Sequence, residues 1–333
     1  MDDERTSTTD PDEPMFFHRP VLRSEIIRVF AEVPAGTVID ATLGGGGHAE
    51  ALLEAHPGLS ILGLDRDADA LRAASGRLAR FGDRVVVVHT RFDRMAEVVR
   101  AQGIGTGPGN GVVGVLFDLG VSSPQFDRPD RGFSYRFDAP LDMRMDRTQR
   151  RTAADVLNTS AETELVRILR EHGDEPNARR IARAIIAARP LATTGELVDV
   201  VRSALPAAVQ RKKGHPAKRT FQALRIEVND ELAILPGTID DAIDALEPGG
   251  RVAVVSYHSG EDRIAKDRLR TAARGGCTCP TQLPCVCGAE PAVRIVGRAI
   301  RPDEAEIAAN PRAASARLRV GEKLDTHGHQ ESA

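Results

Sequence analysis

The stretch Val38-Ile39-Asp40-Ala-Thr-Leu-Gly-Gly-Gly-Gly-His48-Ala49 decides the fold. A β-branched run ends on an acid, glycines follow at 44–47, and a helical stretch starts after them. Glycines at such a junction allow a tight turn and let a ligand come close to the backbone. Asp65 closes the next β-rich run, about 20 residues further on, where a carboxylate can accept both hydroxyls of a ribose.

Working outward, strands are expected at 38–40, 60–64, 84–88, 112–117 and 251–256. Segments 293–300 and 316–320 are expected to complete the sheet at its edge. Near-continuous Val, Ile and Leu runs alternating with helical segments indicate an α/β fold, a mostly parallel sheet covered on both faces. Asp67 is the expected N-cap of the helix after strand two. About 130 residues separate strands four and five, where a crossover needs only a dozen or so. A long insertion therefore starts near Phe133 and ends before Phe221, with amphipathic helices at 162–170, 177–188 and 195–204. The expected division is a core of 15–135 and 221–325, a helical insertion of 136–220, and polar tails at 1–14 and 326–333.

Gly44-x-Gly46-x-x-Ala49 also satisfies the dinucleotide-binding fingerprint, so the loop and Asp65 do not separate NAD from S-adenosylmethionine. Asp40, four residues ahead of the glycines, and Leu246-Glu-Pro-Gly-Gly250, leading into strand five, favour methyl transfer over hydride transfer. Phe92, following strand three, suits a cover for adenine and equally suits core packing. His48 suits contact with a cofactor carboxylate or a helix-capping role. An NAD-dependent oxidoreductase and a non-catalytic assembly factor that binds the cofactor and RNA are the competing classes.

Five further segments carry more information. They are Leu116-Phe-Asp118-Leu-Gly-Val-Ser-Ser-Pro-Gln125-Phe126, Arg131-Gly-Phe-Ser134, Pro140-Leu-Asp-Met-Arg-Met-Asp146, Arg219-Thr-Phe-Gln-Ala-Leu-Arg225 and His258-Ser-Gly-Glu-Asp-Arg263. In this order they resemble the bacterial 16S rRNA (cytosine-N4)-methyltransferase family, over residues 18–324. The resemblance implies a Rossmann-like class I methyltransferase with a mostly parallel seven-stranded sheet and an inserted all-helical substrate-recognition domain. It implies S-adenosyl-L-methionine as cofactor and methylation of the exocyclic N4 amine of a cytosine. That cytosine would lie in the decoding (P-site) region of 16S rRNA, in the small ribosomal subunit. Its cofactor contacts would fall on Gly46, Gly47, His48, Asp65, Phe92, Asp118 and Gln125. Gly45 and Gly260 depart from the family pattern, which carries larger residues there.

Alkylating an exocyclic amine needs acceptors that hold it and take up a proton, and no covalent attack on the ring. Asp118, with Ser122 and Ser123 nearby at the end of strand four, is a candidate acceptor side; a role for Asp118 in serving the cofactor alone is the favoured alternative. His258, at the ligand-binding edge beyond strand five, is a further candidate proton acceptor. Phe126, Phe133, Tyr135 and Tyr257 are candidate platforms for an unstacked base. Aromatics make up only 4% of the chain and there is no Trp, so core packing competes for each of them.

The net charge of −3 conceals a block, 144–225, with 17 Lys and Arg against 9 Asp and Glu. Within it Arg211-Lys-Lys-Gly-His-Pro-Ala-Lys218-Arg219 suits phosphate contact, and solvated helix faces are the bland alternative. No apolar run is long enough to span a bilayer and no signal peptide is evident, so a cytoplasmic protein with no membrane partner is expected. The four cysteines, Cys277, Cys279, Cys285 and Cys287, form a local cluster. A structural zinc site and unligated thiols both fit it, and no catalytic metal is expected. The sequence leaves oligomeric state open.

Overall fold

The Val- and Leu-rich runs become β1 (Gly36–Asp40), β2 (Leu59–Asp65), β3 (Val85–His89), β4 (Val112–Asp118), β5 (Leu246–Ser256), β6 (Val293–Ile295) and β7 (Arg317–Lys323). The computed structural model describes residues 20–105, 110–120, 126, 128–211, 214–280 and 286–325. The tails expected at 1–14 and 326–333 lie outside them, as do Ser122, Ser123, Gln125, Lys212, Lys213 and Cys285.

The strands form one seven-stranded sheet in the order β3-β2-β1-β4-β5-β7-β6. β1 through β5 pair in parallel, and β7 runs antiparallel to both β5 and β6. The Rossmann-like sheet expected from the sequence is thus borne out. Its order differs from the 3-2-1-4-5-6 arrangement of dinucleotide-binding sheets through the reversed β7 wedged beside β5. Successive residues of a strand point to opposite faces, and the core divides accordingly. Val38 and Leu116 bury against Ile26, Phe30, Leu52 and Leu78 on one face. Ile39, Val115 and Phe117 bury against Leu235, Ile239 and Leu269 on the other.

Between β4 and β5 the chain builds the helices Ala153–Thr159, Glu162–Glu171, Ala178–Ala188, Thr194–Ala204 and Lys218–Asn229. Reciprocal side-chain caps start two of them, Thr152 with Asp155 and Thr193 with Glu196. Their apolar stripes share a separate hydrophobic cluster running from Phe133 to Val228. The boundary expected between 220 and 221 falls inside the helix Lys218–Asn229, whose Phe221, Leu224 and Val228 belong to this helical cluster. The helix Glu231–Ala245 then carries the chain back along the sheet to β5. Among the described residues, no helix is long and apolar enough to cross a membrane.

Buried polar contacts join the helical body to the sheet. Arg131 Nη2 reaches Asp67 Oδ2 (2.9 Å) and the carbonyls of Arg144 and Met145 (both 3.0 Å). Asp67 is at the same time the N-cap of the helix Ala68–Leu78, accepting from the Asp69 amide. Arg66 Nη1 donates to Asn229 O (2.8 Å), and the Asn229 side chain bonds Met145 N (2.8 Å) and Met143 O (2.7 Å). Gly132 makes the turn possible: its φ is +69°, and a Cβ there would sit 2.3 Å from Pro140 O. Removing one partner of a buried ion pair costs about 3–5 kcal/mol, because the other charge stays behind. Arg131→Met is therefore expected to lower the free energy of unfolding by that amount in a urea titration. A loss no larger than that of a typical surface substitution would contradict the structural role given to this contact.

Candidate active site

The carboxyl ends of β1, β2 and β4 bring three acids to one edge of the sheet. Register pairs Asp40 with Gly63 on β2 and with Leu116 on β4, so Asp65 and Asp118 each lie two residues beyond. In open α/β sheets this edge is the ligand-binding edge, at the point where strand order reverses about β1 and β4.

The glycine loop is held by hydrogen bonds from both neighbours. Gly44 N donates to Asp65 Oδ2 (2.7 Å) and Asp67 N to Asp65 Oδ1 (2.8 Å), so one carboxylate fixes the β1 turn and its own. Leu43 N donates to Leu64 O (2.9 Å) and Gly46 N to Leu43 O (2.8 Å). Gly46 has φ +76°, and a Cβ there would press on Ala74 and Leu78 beneath the loop. Gly46 thus shapes the turn from below, while Gly44, Gly45, Gly47 and His48 line the cleft above. The departure at Gly45 is open on the cleft side, with nothing within 4 Å of an added Cβ.

Burial pushes the Asp65 carboxyl up, with the two amide bonds pulling the other way. Asp40, 1% exposed, is pushed to about 7 by burial, against the pull of His48 and the Thr42 amide.

Asp118 is the convergence point. Its amide donates to Thr42 Oγ1 (2.7 Å), its Oδ1 accepts from Tyr257 Oη (2.7 Å), and its Oδ2 stands 3.4 Å from His48 Nε2. Burial, then the charge of Asp118, push the Tyr257 phenol well above its ordinary range, so it stays a donor. His48 is 5% exposed, and neither ring nitrogen makes an aligned hydrogen bond among the described residues. Phe92 is buried, edge-on to Phe117 with ring centroids 5.9 Å apart, yet reaches the cleft wall.

These features lie around one cleft of about 2540 Å³ that also takes in the inner side of the helical body. They fit S-adenosylmethionine. A backbone turn free of side chains, an acid ending β2, a ring after β3 and the buried imidazole of His48 face one space.

The end of β5 supplies the far wall. His258 caps the helix Ser259–Ala273, its ring accepting from the Glu261 amide while Glu261 bonds the amides of Tyr257 (2.7 Å) and His258 (3.2 Å). His258 Nε2 lies 3.0 Å from Glu261 Oε1. Burial works against charge on Glu261, but His258 and Arg225 hold it below the usual carboxylate range. Gly260 does not disturb this helix start. A Cβ there would stand 3.2 Å from the His258 ring and from Leu232, so a small residue suits the cap. Arg225 in turn holds Glu231 in a two-pronged pair, both bonds 2.9 Å.

Among the aromatic candidates, Phe133 is core of the helical cluster, and Tyr257 is committed to Asp118. Tyr135 stacks on His215 at 4.2 Å, and Phe126 lies under the Arg312 guanidinium. Sequence reasoning missed Phe137, which is 48% exposed on the cleft wall. It also missed Thr42 and the tie between Tyr257 and Asp118. Much of the basic block is spent internally, with Arg144 on Asp142, Arg167 on Glu164 and Glu227, and Arg225 on Glu231. Arg211, Lys218 and Arg219 are exposed, Lys218 at the cleft.

The chain is 51% identical over 315 residues to the ribosomal RNA small subunit methyltransferase H of Symbiobacterium thermophilum, covering 93% of this chain and 97% of that one. It is 51% identical over 316 residues to the protein of the same name from Thermobifida fusca, covering 92% and 93%. A solved rRNA methylase from Streptococcus thermophilus is more distant, 14% identical with a TM-score of 0.37, covering 91% and 94%. The family model described as the MraW methylase family matches residues 15–324, and the chain belongs to that family.

Proposed function

We propose that the chain transfers a methyl group from S-adenosylmethionine to the exocyclic N4 amine of a cytosine in the decoding (P-site) region of 16S rRNA, within the small ribosomal subunit. Family membership makes it an S-adenosylmethionine-dependent methylase, and its relatives are named for small-subunit rRNA. The observation that carries the finer reading is Asp118, an acceptor-only group while ionised, held on the same cleft as the glycine loop and Asp65. An exocyclic amine offers the hydrogens such a group binds.

The bound cofactor supplies an electrophilic methyl group. Asp118 holds an N4 hydrogen, draws the amine lone pair away from the ring, and receives the proton lost as the new N–C bond forms. Tyr257 fixes the carboxylate and Thr42 anchors the backbone amide of the same residue, so little reorganisation is left for the reaction step. Ser122 and Ser123 would extend this acceptor side, and Gln125 the cofactor contacts. His258, engaged at its helix cap, would shape the wall and leave the proton to Asp118. The extruded base needs an apolar face, and Phe137 is the exposed ring on the cleft wall. The helical body, with Arg211, Lys218 and Arg219, would grip the RNA backbone, which adds affinity without choosing sequence.

Incubating the protein with undermodified small subunits and S-adenosylmethionine should yield N4-methylcytidine by nucleoside mass spectrometry. Methyl groups found only on another nucleoside would overturn the assignment of the base. Asp118→Ala should lower turnover by at least about 10²-fold. Tyr257→Phe removes one hydrogen bond to a charged group, so a loss of about tenfold to a hundredfold is expected. Replacing Arg211, Lys218 and Arg219 together with Gln should weaken binding to the subunit and flatten its dependence on salt concentration. An unchanged salt slope would leave that loop merely solvated.

Asp40 adds a pH signature. Its folded-state value of about 7 exceeds the ordinary 3.8, so the folded protein binds the extra proton between them. Stability is then highest at low pH with respect to this group and declines as pH rises through about 7, by a few kcal/mol in all. Asp40→Asn should remove this decline, so the cofactor-free variant should gain stability over the wild type as pH rises from about 4 to 7. Parallel urea titrations would measure the gap, and a gap that stays flat with pH would contradict the burial argument.

A further inference from the structure

The cysteine cluster is the strongest feature that the methylase reading leaves unused. The helix Ser259–Ala273 ends in a glycine turn, with Gly275 N donating to Ala272 O (3.2 Å) and Gly276 N to Thr271 O (3.0 Å). Both glycines have positive φ, and a Cβ on Gly275 would sit 2.3 Å from Glu290 O, so the turn packs tightly against the returning chain. Cys277 N then donates to Arg274 O (3.0 Å). This path brings the sulfurs of Cys277, Cys279 and Cys287 within 4.8 Å of one another.

Two details favour a metal over simple proximity. The Cys279 amide points at Cys277 Sγ (3.4 Å), and an N–H aimed at sulfur favours the thiolate, the form that binds metals. In addition, four sulfurs at about 2.3 Å from a tetrahedral zinc lie roughly 3.8 Å apart. The observed grouping is therefore close to that needed by one ion. An iron–sulfur cluster spreads its cysteines around several irons and fits this tight group less well.

We propose that Cys277, Cys279 and Cys287 bind a single zinc ion through their thiolates. The three sulfurs take three of the four tetrahedral positions, and the fourth is open to a further ligand such as water. The site is structural, since none of the three cysteines lines the cleft. It clamps the turn between the helix Ser259–Ala273 and β6, where Ala292 N donates to Ala272 O (2.9 Å) and Leu324 N to Ala292 O (3.0 Å). Zinc bound there holds the short outer strand β6 in place.

The test is metal analysis of the full-length protein purified under reducing conditions with no metal added. About one zinc per chain is expected. After exchange for cobalt, the protein should show sulfur-to-metal charge transfer and the intense visible bands of a tetrahedral site. Cys287→Ser, at an exposed position, and the double variant C277S/C279S should each lose the metal. S-adenosylmethionine binding reports that these variants remain folded. If a variant does not fold, removing the metal from the wild type with a chelator serves instead, and amides of β6 should then exchange faster with deuterium. A wild-type protein that carries no zinc and takes none up from a zinc buffer would overturn the proposal. So would variants that keep full zinc content, or a disulfide among these cysteines in the reduced preparation.

Discussion

A parallel pair of neighbouring strands obliges the chain to leave at one edge of the sheet and re-start at the opposite edge. Here β4 and β5 are such a pair, and the helix Glu231–Ala245 makes the return. Whatever precedes that helix is launched from the carboxyl end of β4. The helical body begins there, beside the turns after β1 and β2. Its Tyr135 and Lys218 therefore share a cleft with Gly44 and Asp65, although they lie far apart in the chain. A binding site assembled from two hydrophobic cores follows from strand connectivity before any side-chain chemistry is considered.

Within that frame, charged groups set the detailed geometry. A carboxylate shared by two backbone amides holds the glycine loop, and a second, tied to Tyr257 and carried on a residue whose backbone amide Thr42 anchors, faces it. The contacts of Arg131, Arg66 and Asn229 fix the angle at which the helical body meets the sheet. Buried ion pairs contribute little net stability when intact, but they are costly to break. Their effect here is to make alternative dockings of the two cores unfavourable.

The parts legible in the sequence were those governed by neighbours along the chain. The strand runs, the Asp67 cap, the glycine turn and the helices of the insertion each follow from local spacing, and the structure has them close to where they were expected. The insertion's downstream boundary, expected between 220 and 221, is not marked in the sequence because the pattern of the helix Lys218–Asn229 is continuous. Only tertiary packing reveals that its first and last turns serve the same cluster. Contacts across long separations were also hidden. Tyr257 and Asp118 are 139 residues apart, and their pairing depends on the register of β4 with β5. His258 stands as a candidate proton acceptor by its position, and a sequence does not disclose that its imidazole also caps a helix. The surplus of basic residues was equally ambiguous, since composition cannot show how many guanidinium groups are answered by acids inside the fold.

The polar seam has a consequence for chimeras. Arg66 and Asp67 stand in the turn after β2, whereas their partners Asn229 and Arg131 stand at the two ends of the insertion. A helical body grafted from another protein would thus have to arrive with a matching arginine near its start and a backbone carbonyl in the matching place near its finish. The recipient sheet, left bare, would expose an acid and a guanidinium shaped for a departed neighbour. What looks like a removable module is, at its seam, joined to its host residue by residue.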